Sequence, residues 1–130
     1  MKKDYRNWKP LKQELNNAEE PRLFFHEREV WFTSMGVNVG FEIDGKGEKF
    51  MRPIIVIKKF NNESLWGLPL TKNPKKGKYY YSFTFEEGQS STANLSQIRL
   101  IDSKRLQYKI GVIHEKDFVE VKEKLRQLLV

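Results

Sequence analysis

Two polar side chains frame the most apolar stretch of the sequence. Arg52 precedes the first of two apolar runs in residues 51–71, and Thr71 follows the second. The polar turn between the runs predicts a β-hairpin, in which the first strand begins beside the end of the second. A guanidinium, which is always charged and suits phosphate, would then lie beside a hydroxyl that donates or accepts hydrogen bonds. This pair predicts a phosphodiester site; the alternative is a surface Arg52 paired with Glu42 or Glu48, and a Thr71 that only ends a strand.

The segment after Thr71 is strongly basic. It has four lysines and no acidic residue, which favours either a nucleic-acid backbone beside it or a solvated connector between strands. The next residues, 79–85, alternate in type and predict a strand with an aromatic core face. Tyr80 lies on the other face among polar neighbours, so it is the better candidate for stacking on a base. The four lysines are Lys72, Lys75, Lys76 and Lys78.

A second group of polar candidates lies in residues 90–101, which the pattern predicts to form one strand. The apolar residues change face between Leu95 and Ile98. We therefore expect a bulge or a bend there, a feature that re-aims neighbouring side chains. The stretch offers amide, hydroxyl and cationic groups on Asn94, Ser96, Gln97 and Arg99.

Three carboxylates lie in the glycine-spaced residues 35–49, just before the hairpin. They are Glu42, Asp44 and Glu48. No histidine is near them in the sequence, and their spacing does not fit an EF-hand, which argues against a metal site. The stretch also lacks the Gly-Lys-Ser/Thr motif of a phosphate-binding P-loop. We expect a mobile loop that closes over a substrate.

The composition is that of one basic globular domain. Among 130 residues, 24 are Lys or Arg and 17 are Asp or Glu, and the net charge of +7 favours nucleic acid first and an acidic protein second as partner. The absence of cysteine excludes disulfides and thiolate metal sites. The sequence shows neither an apolar run of membrane-spanning length nor an export signal, so we expect a cytoplasmic protein with no membrane partner.

Short strands, glycine-containing loops and one C-terminal helix predict a mainly β fold with helices (α+β), a small antiparallel half-barrel. Residues 1–27 are predicted to be a helical extension and residues 28–130 the barrel domain. In the extension, a helix from Pro10 to about residue 17 should pack against the barrel, although a wall of the substrate groove or a docking surface is the alternative. The other predicted elements are strands Glu29–Ser34 and 109–113, a short helical piece capped by Asp102, and a helix over residues 115–129.

Several blocks occur in order along residues 28–129. They read REVWFTSMG, VGFE, RPIIVI with LPLT, and SQIRLIDSKRL with KIG, followed by the terminal helix. As an ordered set they resemble the MazF/PemK family of toxin endoribonucleases. The resemblance implies an SH3-like barrel, a homodimer, and cleavage of single-stranded RNA without a metal or other cofactor. It also implies a small acidic antitoxin whose extended tail fills the RNA groove.

The resemblance assigns roles to individual residues. The family's Glu-containing loop, its Arg-Pro block and its Pro-x-Thr block fall on Glu42, Arg52 and Thr71, which become the catalytic candidates. The implied reaction is attack of the ribose 2′-hydroxyl on phosphorus, giving a 2′,3′-cyclic phosphate and a 5′-hydroxyl. The lysines of residues 72–78, and the four polar residues between 94 and 99, become the candidates for RNA binding.

The sequence departs from the family pattern at three positions. Ser96 stands where many relatives have an acid, Asn94 and Ser96 fall on an Arg–Asp pair of PemK-type members, and Phe41 falls on their His. Two alternatives therefore stay open. One is a barrel that binds RNA or its antitoxin without cutting, and the other is a protein-interaction module, such as a gyrase poison with the same architecture.

Overall fold

The computed structural model of the chain describes residues 5–16, 22–36, 45, 51–85 and 88–130. Within these residues it has two α-helices and seven strands in one antiparallel sheet, so the predicted α+β fold is confirmed. The elements are α1 (Tyr5–Asn16), β1 (Glu29–Ser34), β2 (Met51–Lys59), β3 (Ser64–Thr71), β4 (Tyr80–Phe85), β5 (Gln89–Asn94), β6 (Arg99–Asp102), β7 (Leu106–Val112) and α2 (Glu115–Gln127).

Strand β2 lies between β1 and β3 and is buried on both of its faces. Its four consecutive β-branched residues alternate between two cores, with Ile54 and Val56 in one and Ile55 and Ile57 in the other. β-Branched side chains pack well on either face of a pleated strand. The prediction of a doubly buried strand is therefore confirmed, and the sheet has a hydrophobic layer on each side.

Strand β3 pairs with two strands in succession along one edge. Leu70 pairs with Ala93 of β5, and Gly67 pairs with Arg99 of β6. Between these two pairs there are three steps along β3 but six along the segment that joins β5 to β6. That segment therefore has three extra residues. They form the 3-10 turn Leu95–Gln97. The single strand predicted over residues 90–101 is therefore wrong, whereas the bend expected at this point is confirmed.

Helix α2 closes one core. Its buried residues are Phe118 and Val121, as its apolar pattern predicts. The helix ends at Gln127, two residues before the predicted end, and the side chain of Leu129 is 87% exposed. At its first turn Asp117 accepts a hydrogen bond of 2.7 Å from the Tyr81 hydroxyl. Burial and this carboxylate raise the pKa of Tyr81 to about 12.

Helix α1 begins earlier than predicted. The sequence predicts a start at Pro10, but the helix begins at Tyr5 and contains that proline. Because a proline has no N–H, the helix loses the bond to the carbonyl four residues earlier, that of Arg6. Packing compensates for this loss, since Trp8 is buried and Leu11 packs against it. Tertiary contacts thus override the local preference.

Trp8 packs against Gly36, the second residue after β1. Gly36 has a φ of +78°, and a Cβ placed on it would lie 2.1 Å from Cε2 of Trp8. The Arg105 guanidinium lies 5.6 Å from the centroid of the Trp8 ring, and Lys104 Nζ donates a 2.8 Å hydrogen bond to the carbonyl of Asn16. The predicted packing of the N-terminal helix against the barrel is confirmed.

Replacing Gly36 with alanine should release α1 from the barrel. The change combines backbone strain with a clash on the indole, so we expect a loss of about 1–3 kcal/mol of stability and a red shift of Trp8 fluorescence. Gly88→Ala is the matched control, because Gly88 has a φ of +82° but no atom within 4 Å of its added Cβ. Equal losses of stability in the two variants, without a fluorescence change, would show that the indole contact is unimportant.

A buried carboxylate ties β1 to β7. Glu29 is 7% exposed. Its carboxylate accepts hydrogen bonds from the Trp31 indole at 3.0 Å and from the backbone N–H of His26 at 2.7 Å. It also pairs with Lys109 Nζ at 3.1 Å. Burial alone would raise its pKa, but these donors and the lysine charge outweigh burial, so the pKa of Glu29 lies below its usual value.

Glu29→Gln should make the protein less stable at neutral pH and less sensitive to acid. Since the folded-state pKa of Glu29 is depressed, the ionised carboxylate stabilises the fold above its unfolded-state pKa. That contribution is lost as the pH falls through the folded-state pKa, below about 4.5. We expect a loss of about 1–2 kcal/mol at pH 7, measured by urea unfolding, and a smaller difference from wild type at pH 3. Glu123→Gln, at an exposed pair with Arg126, should change the stability little at either pH.

Candidate functional site

The structure brings Arg52 and Thr71 to the same end of the hairpin. Ile54 pairs with Pro69, so the same register continued by two residues sets Arg52 opposite Thr71. The Arg52 guanidinium donates a 3.0 Å hydrogen bond from NH1 to the carbonyl of Leu70. On its other side Arg52 pairs with Thr33, a buried residue of β1. A half-buried guanidinium is thus held beside the last residue of β3.

The Thr71 hydroxyl has an acceptor role at the start of the basic segment. Its Oγ1 accepts a 3.3 Å hydrogen bond from the backbone N–H of Asn73, which turns the chain away from β3. A hydroxyl that accepts in this way still has its own proton to donate. Thr71 can therefore donate to an anion that lies at the end of the hairpin, beside the charge of Arg52.

The four predicted lysines are exposed and follow Thr71 directly. Two of them lie over aromatic rings: Lys75 Nζ is 5.8 Å from the centroid of Tyr80, and Lys78 Nζ is 5.0 Å from that of Tyr79. On the opposite face of β4, Phe83 and Phe85 are buried in the core, as the alternation predicts. Tyr79 is predicted on this same face, but this is wrong, because it lies before β4 and is 42% exposed. The segment is a cationic rim with two tyrosine rings beneath it.

The polar candidates of the β5–β6 region lie before, within and after the 3-10 turn. Asn94 pairs with Tyr80 at the end of β5, and its Oδ1 accepts a 3.0 Å hydrogen bond from the Ser96 hydroxyl. Gln97 ends the turn, and Arg99 begins β6 opposite Gly67 of β3. Arg99 therefore lies four residues from Thr71 along β3, or about 13 Å at the usual rise of a strand. The structure groups Asn94 with the rim and separates Arg99 from the Arg52–Thr71 pair.

An open groove of about 1220 Å³ contains three of the candidates, Lys78, Ser96 and Arg99. Among the described residues that line it, six are cationic and one, Glu27, is acidic. Trp66 also lies there, with 45% of its surface exposed. Sequence reasoning missed Trp66 and the cations of α2. Trp66 lies on β3 between two buried residues. Because successive side chains of a strand point to opposite faces, its indole points outward. The remaining cations are Lys58, Lys122, Lys124 and Arg126.

Some predictions fall where the structure gives no description. Glu42, the third catalytic candidate, lies outside the described residues, and so does Phe41. The predicted mobile loop over residues 35–49 is described only at residues 35, 36 and 45. Glu42 and Glu48 are the residues with which Arg52 would pair in the alternative interpretation. Both lie outside the described part of the chain.

Neither a candidate metal centre nor a membrane-spanning helix is found among the described residues. No three His, Cys, Asp or Glu side chains in this part of the chain are grouped as metal ligands would be. Neither helix found there has the length and apolar character that crossing a membrane requires.

The sequence of residues 28–129 matches the family model of PemK-like, MazF-like toxins of type II toxin–antitoxin systems. The match spans more than half of the chain, and the chain belongs to this family. A comparison with curated proteins gave no significant match.

Solved structures share the fold. MazF from Deinococcus radiodurans is 18% identical with a TM-score of 0.67, over 82% of this chain and 97% of that chain. The MazE–MazF structure from the same organism is 19% identical with a TM-score of 0.61, over 82% and 97%. An endoribonuclease in complex with its cognate antitoxin, from a mycobacterial species, is 10% identical with a TM-score of 0.62, over 82% and 95%. At these identities the likeness shows the fold alone.

Proposed function

We propose that the protein is a toxin endoribonuclease that cleaves single-stranded RNA by attack of a ribose 2′-hydroxyl on the adjacent phosphorus. The 5′-oxygen leaves, and the products are a 2′,3′-cyclic phosphate and a 5′-hydroxyl. One observation carries the proposal, namely the guanidinium of Arg52, which donates a hydrogen bond to the carbonyl of Leu70, the residue next to Thr71. Membership of the toxin family supports the assignment to RNA.

Each residue of the pair has a physical role in such a reaction. Negative charge builds up on the phosphorus oxygens in the transition state, and a fixed positive charge stabilises it more than the ground state. A guanidinium carries a fixed positive charge and five N–H donors, and its planar fork matches phosphate oxygens. Thr71 donates a hydrogen bond to a second oxygen. We assign removal of the 2′-hydroxyl proton to Glu42. At the ordinary Glu pKa of about 4.3, this carboxylate is a weak base.

The cationic rim suits the RNA backbone. Its four lysines supply the charge that displaces counterions from a single strand. The rings of Tyr79 and Tyr80 lie below two of these lysines and offer flat surfaces for bases. Asn94, Ser96, Gln97 and Arg99 extend the polar surface along β3 and are the candidates for contacts with the RNA beyond the reacting phosphate.

The same surface suits the second partner. The protein has a net charge of +7 and should attract a small acidic antitoxin, which would compete with RNA for the rim. Two of the solved structures that share the fold hold an antitoxin beside the toxin. Charge complementarity is thus one reason for the toxin to be neutralised by an acidic segment.

The second candidate function is RNA binding without cleavage. The observation that favours it is the neutral hydrogen bond between Ser96 and Asn94, at the positions where PemK-type members have an acid–base pair. Two neutral groups bind a ligand through hydrogen bonds but do not transfer protons near neutral pH. In that case single strands would bind with a steep salt dependence and stay intact.

Cleavage of a long single-stranded RNA in EDTA, followed by end-group analysis, tests the proposal. Wild type should give discrete fragments with cyclic phosphates. Arg52→Ala should lower the rate about 10²–10³-fold and Thr71→Val about 10²-fold, whereas Thr71→Ser should retain most of the activity. Lys116→Ala, at an exposed cation on α2 that does not line the groove, is the control for a general loss of charge. If wild type leaves the RNA intact at concentrations where binding is demonstrated, the nuclease proposal is contradicted and RNA binding without cleavage is favoured.

We also propose that two copies of the chain form a homodimer through the apolar side of the groove. Leu100 is 61% exposed and pairs with Trp66 across β6 and β3, and Leu129 lies at the same groove. Apolar side chains exposed together on one surface are typical of an interface. A second copy covering them would bring two sets of the groove's cations close together.

Leu100→Lys should weaken this dimer. A buried anchor replaced by a charge typically costs about 2 kcal/mol or more of association, so the dissociation constant should rise at least about 30-fold. Light scattering coupled to size exclusion measures it. Val119→Lys is the control, since Val119 is 62% exposed on α2 but does not line the groove. A monomeric wild type, or equal weakening by both variants, would contradict the proposed interface.

A further inference from the structure

Helix α1 stands at the same end of the sheet as the candidate catalytic pair. Its Trp8 packs on Gly36, which lies three residues beyond Thr33, the cross-strand partner of Arg52. At the usual rise of an extended chain this separation is about 10 Å. The helix is outside the residues that match the family model, which begin at residue 28. Its role is therefore not given by family membership.

The charges of α1 are separated on its surface. Arg6, Lys9 and Lys12 follow one another at intervals of three residues, so they form a stripe along one flank of the helix. At 3.6 residues per turn, the acidic residue Glu14 lies about 140° around the axis from Lys9 and about 80° from Arg6, outside the stripe. All three cations are exposed, and none forms an ion pair with another residue that the structure describes.

The stripe adds positive charge to a region that is already positive. Arg105 and Lys104 contact α1 directly, through the Trp8 ring and the Asn16 carbonyl. Burial, and then the charge of Arg99, lower the pKa of Arg105 against the opposing effect of Asp102. The exposed cations of the stripe belong to a helix that these two basic residues contact, and clustered positive charge of this kind attracts polyanions.

The character of the stripe favours RNA over a protein as that anion. The described apolar side chains of α1 are turned inward, where Leu11 and Leu15 pack against the buried Trp8. A protein–protein interface needs an apolar core with a polar rim. Binding of a phosphate backbone needs only cations at a suitable spacing, since counterion release supplies the free energy.

We propose that Arg6, Lys9 and Lys12 form a second contact for single-stranded RNA, which holds the strand beyond the reacting phosphate. The inference rests on the proposed function, because it takes RNA as the ligand of the Arg52–Thr71 pair. Trp8 fixes the stripe in position, and the three cations bind phosphates without reading sequence. Long RNA strands then bind more tightly than strands that reach only the catalytic pair.

Fluorescence anisotropy with labelled RNA tests this contact. The full chain carries Arg52→Ala in all samples, which slows cleavage enough for binding to be measured on intact RNA. The probes are a 40-nucleotide and a 6-nucleotide unstructured single strand. The test variant is Arg6→Gln/Lys9→Gln/Lys12→Gln. The control is Lys116→Glu/Val119→Glu on α2, which lowers the net charge by the same three units at exposed positions that do not line the groove. Tryptophan fluorescence verifies that α1 stays docked in the test variant.

We expect the test variant to bind the 40-nucleotide strand about 10–100-fold more weakly at 50 mM salt. The slope of log affinity against log salt should fall by about 2, which is three contacts at ~0.7 each. The 6-nucleotide strand should bind as before, and the control should lose less than about 3-fold on either RNA. Unchanged affinity for the long strand, or an equal loss in the control, would overturn the proposal.

Two further measurements distinguish the causes of failure. A 20-residue poly-glutamate peptide replaces the RNA as a probe: loss of peptide binding in the test variant, with long-RNA binding intact, would assign the stripe to an acidic protein and overturn the proposal. Cleavage is measured separately with Arg52 present. If wild type cuts no RNA but the stripe still governs binding of the long strand, the second contact stands and only the nuclease assignment fails.

Discussion

Burial of β2 on both faces is the constraint on which the rest of the structure depends. Four consecutive β-branched side chains lie in two different cores, and each contributes about 1.5–3 kcal/mol through its removal from water. A shift of one residue in register would exchange the cores of all four side chains. The strand therefore has one position, and Arg52, two residues before Ile54 in the same strand, is fixed by packing that has no role in chemistry. The half-buried guanidinium then has a defined partner in the Leu70 carbonyl.

Positive charge is concentrated on this framework rather than spread evenly. The lysines of residues 72–78 line one rim, six cations line the groove beside α2, and three more lie on α1. Like charges held close together destabilise a folded protein and attract polyanions. A fold with two apolar cores can tolerate this cost, because its stability comes from burial and not from surface ion pairs. The distribution of charge is thus not required by the fold.

The neutral pair formed by Ser96 and Asn94 gives the site its particular character. Without an acid and a base at these two positions, the candidate site offers positive charge and hydrogen-bond donors. These stabilise a charged transition state but leave proton transfer to another group. Membership of the family defines the fold and the class of toxin, whereas the efficiency of catalysis depends on side chains that differ between members.

The sequence by itself determined the local features of this protein. Hydrophobic runs and periodicity predicted the β2–β3 hairpin, the aromatic face of β4 and most of α2, and the polar side chain of Asp102 predicted the cap that it makes with the N–H of Lys104. Hairpin geometry predicted that Arg52 would lie near Thr71. These predictions succeeded because each depends on residues that are close in the chain or joined by one turn.

Only the tertiary structure decided the features that depend on contacts between distant segments. The division of residues 90–101 into two strands follows from pairing with β3, and periodicity along one segment does not encode its neighbour. The start of α1 before Pro10 depends on the contact of Trp8 with Gly36, which lies 28 residues further along the chain. The groove that joins Trp66 to the cations of α2 likewise exists only after the sheet has formed and the helix has packed on it.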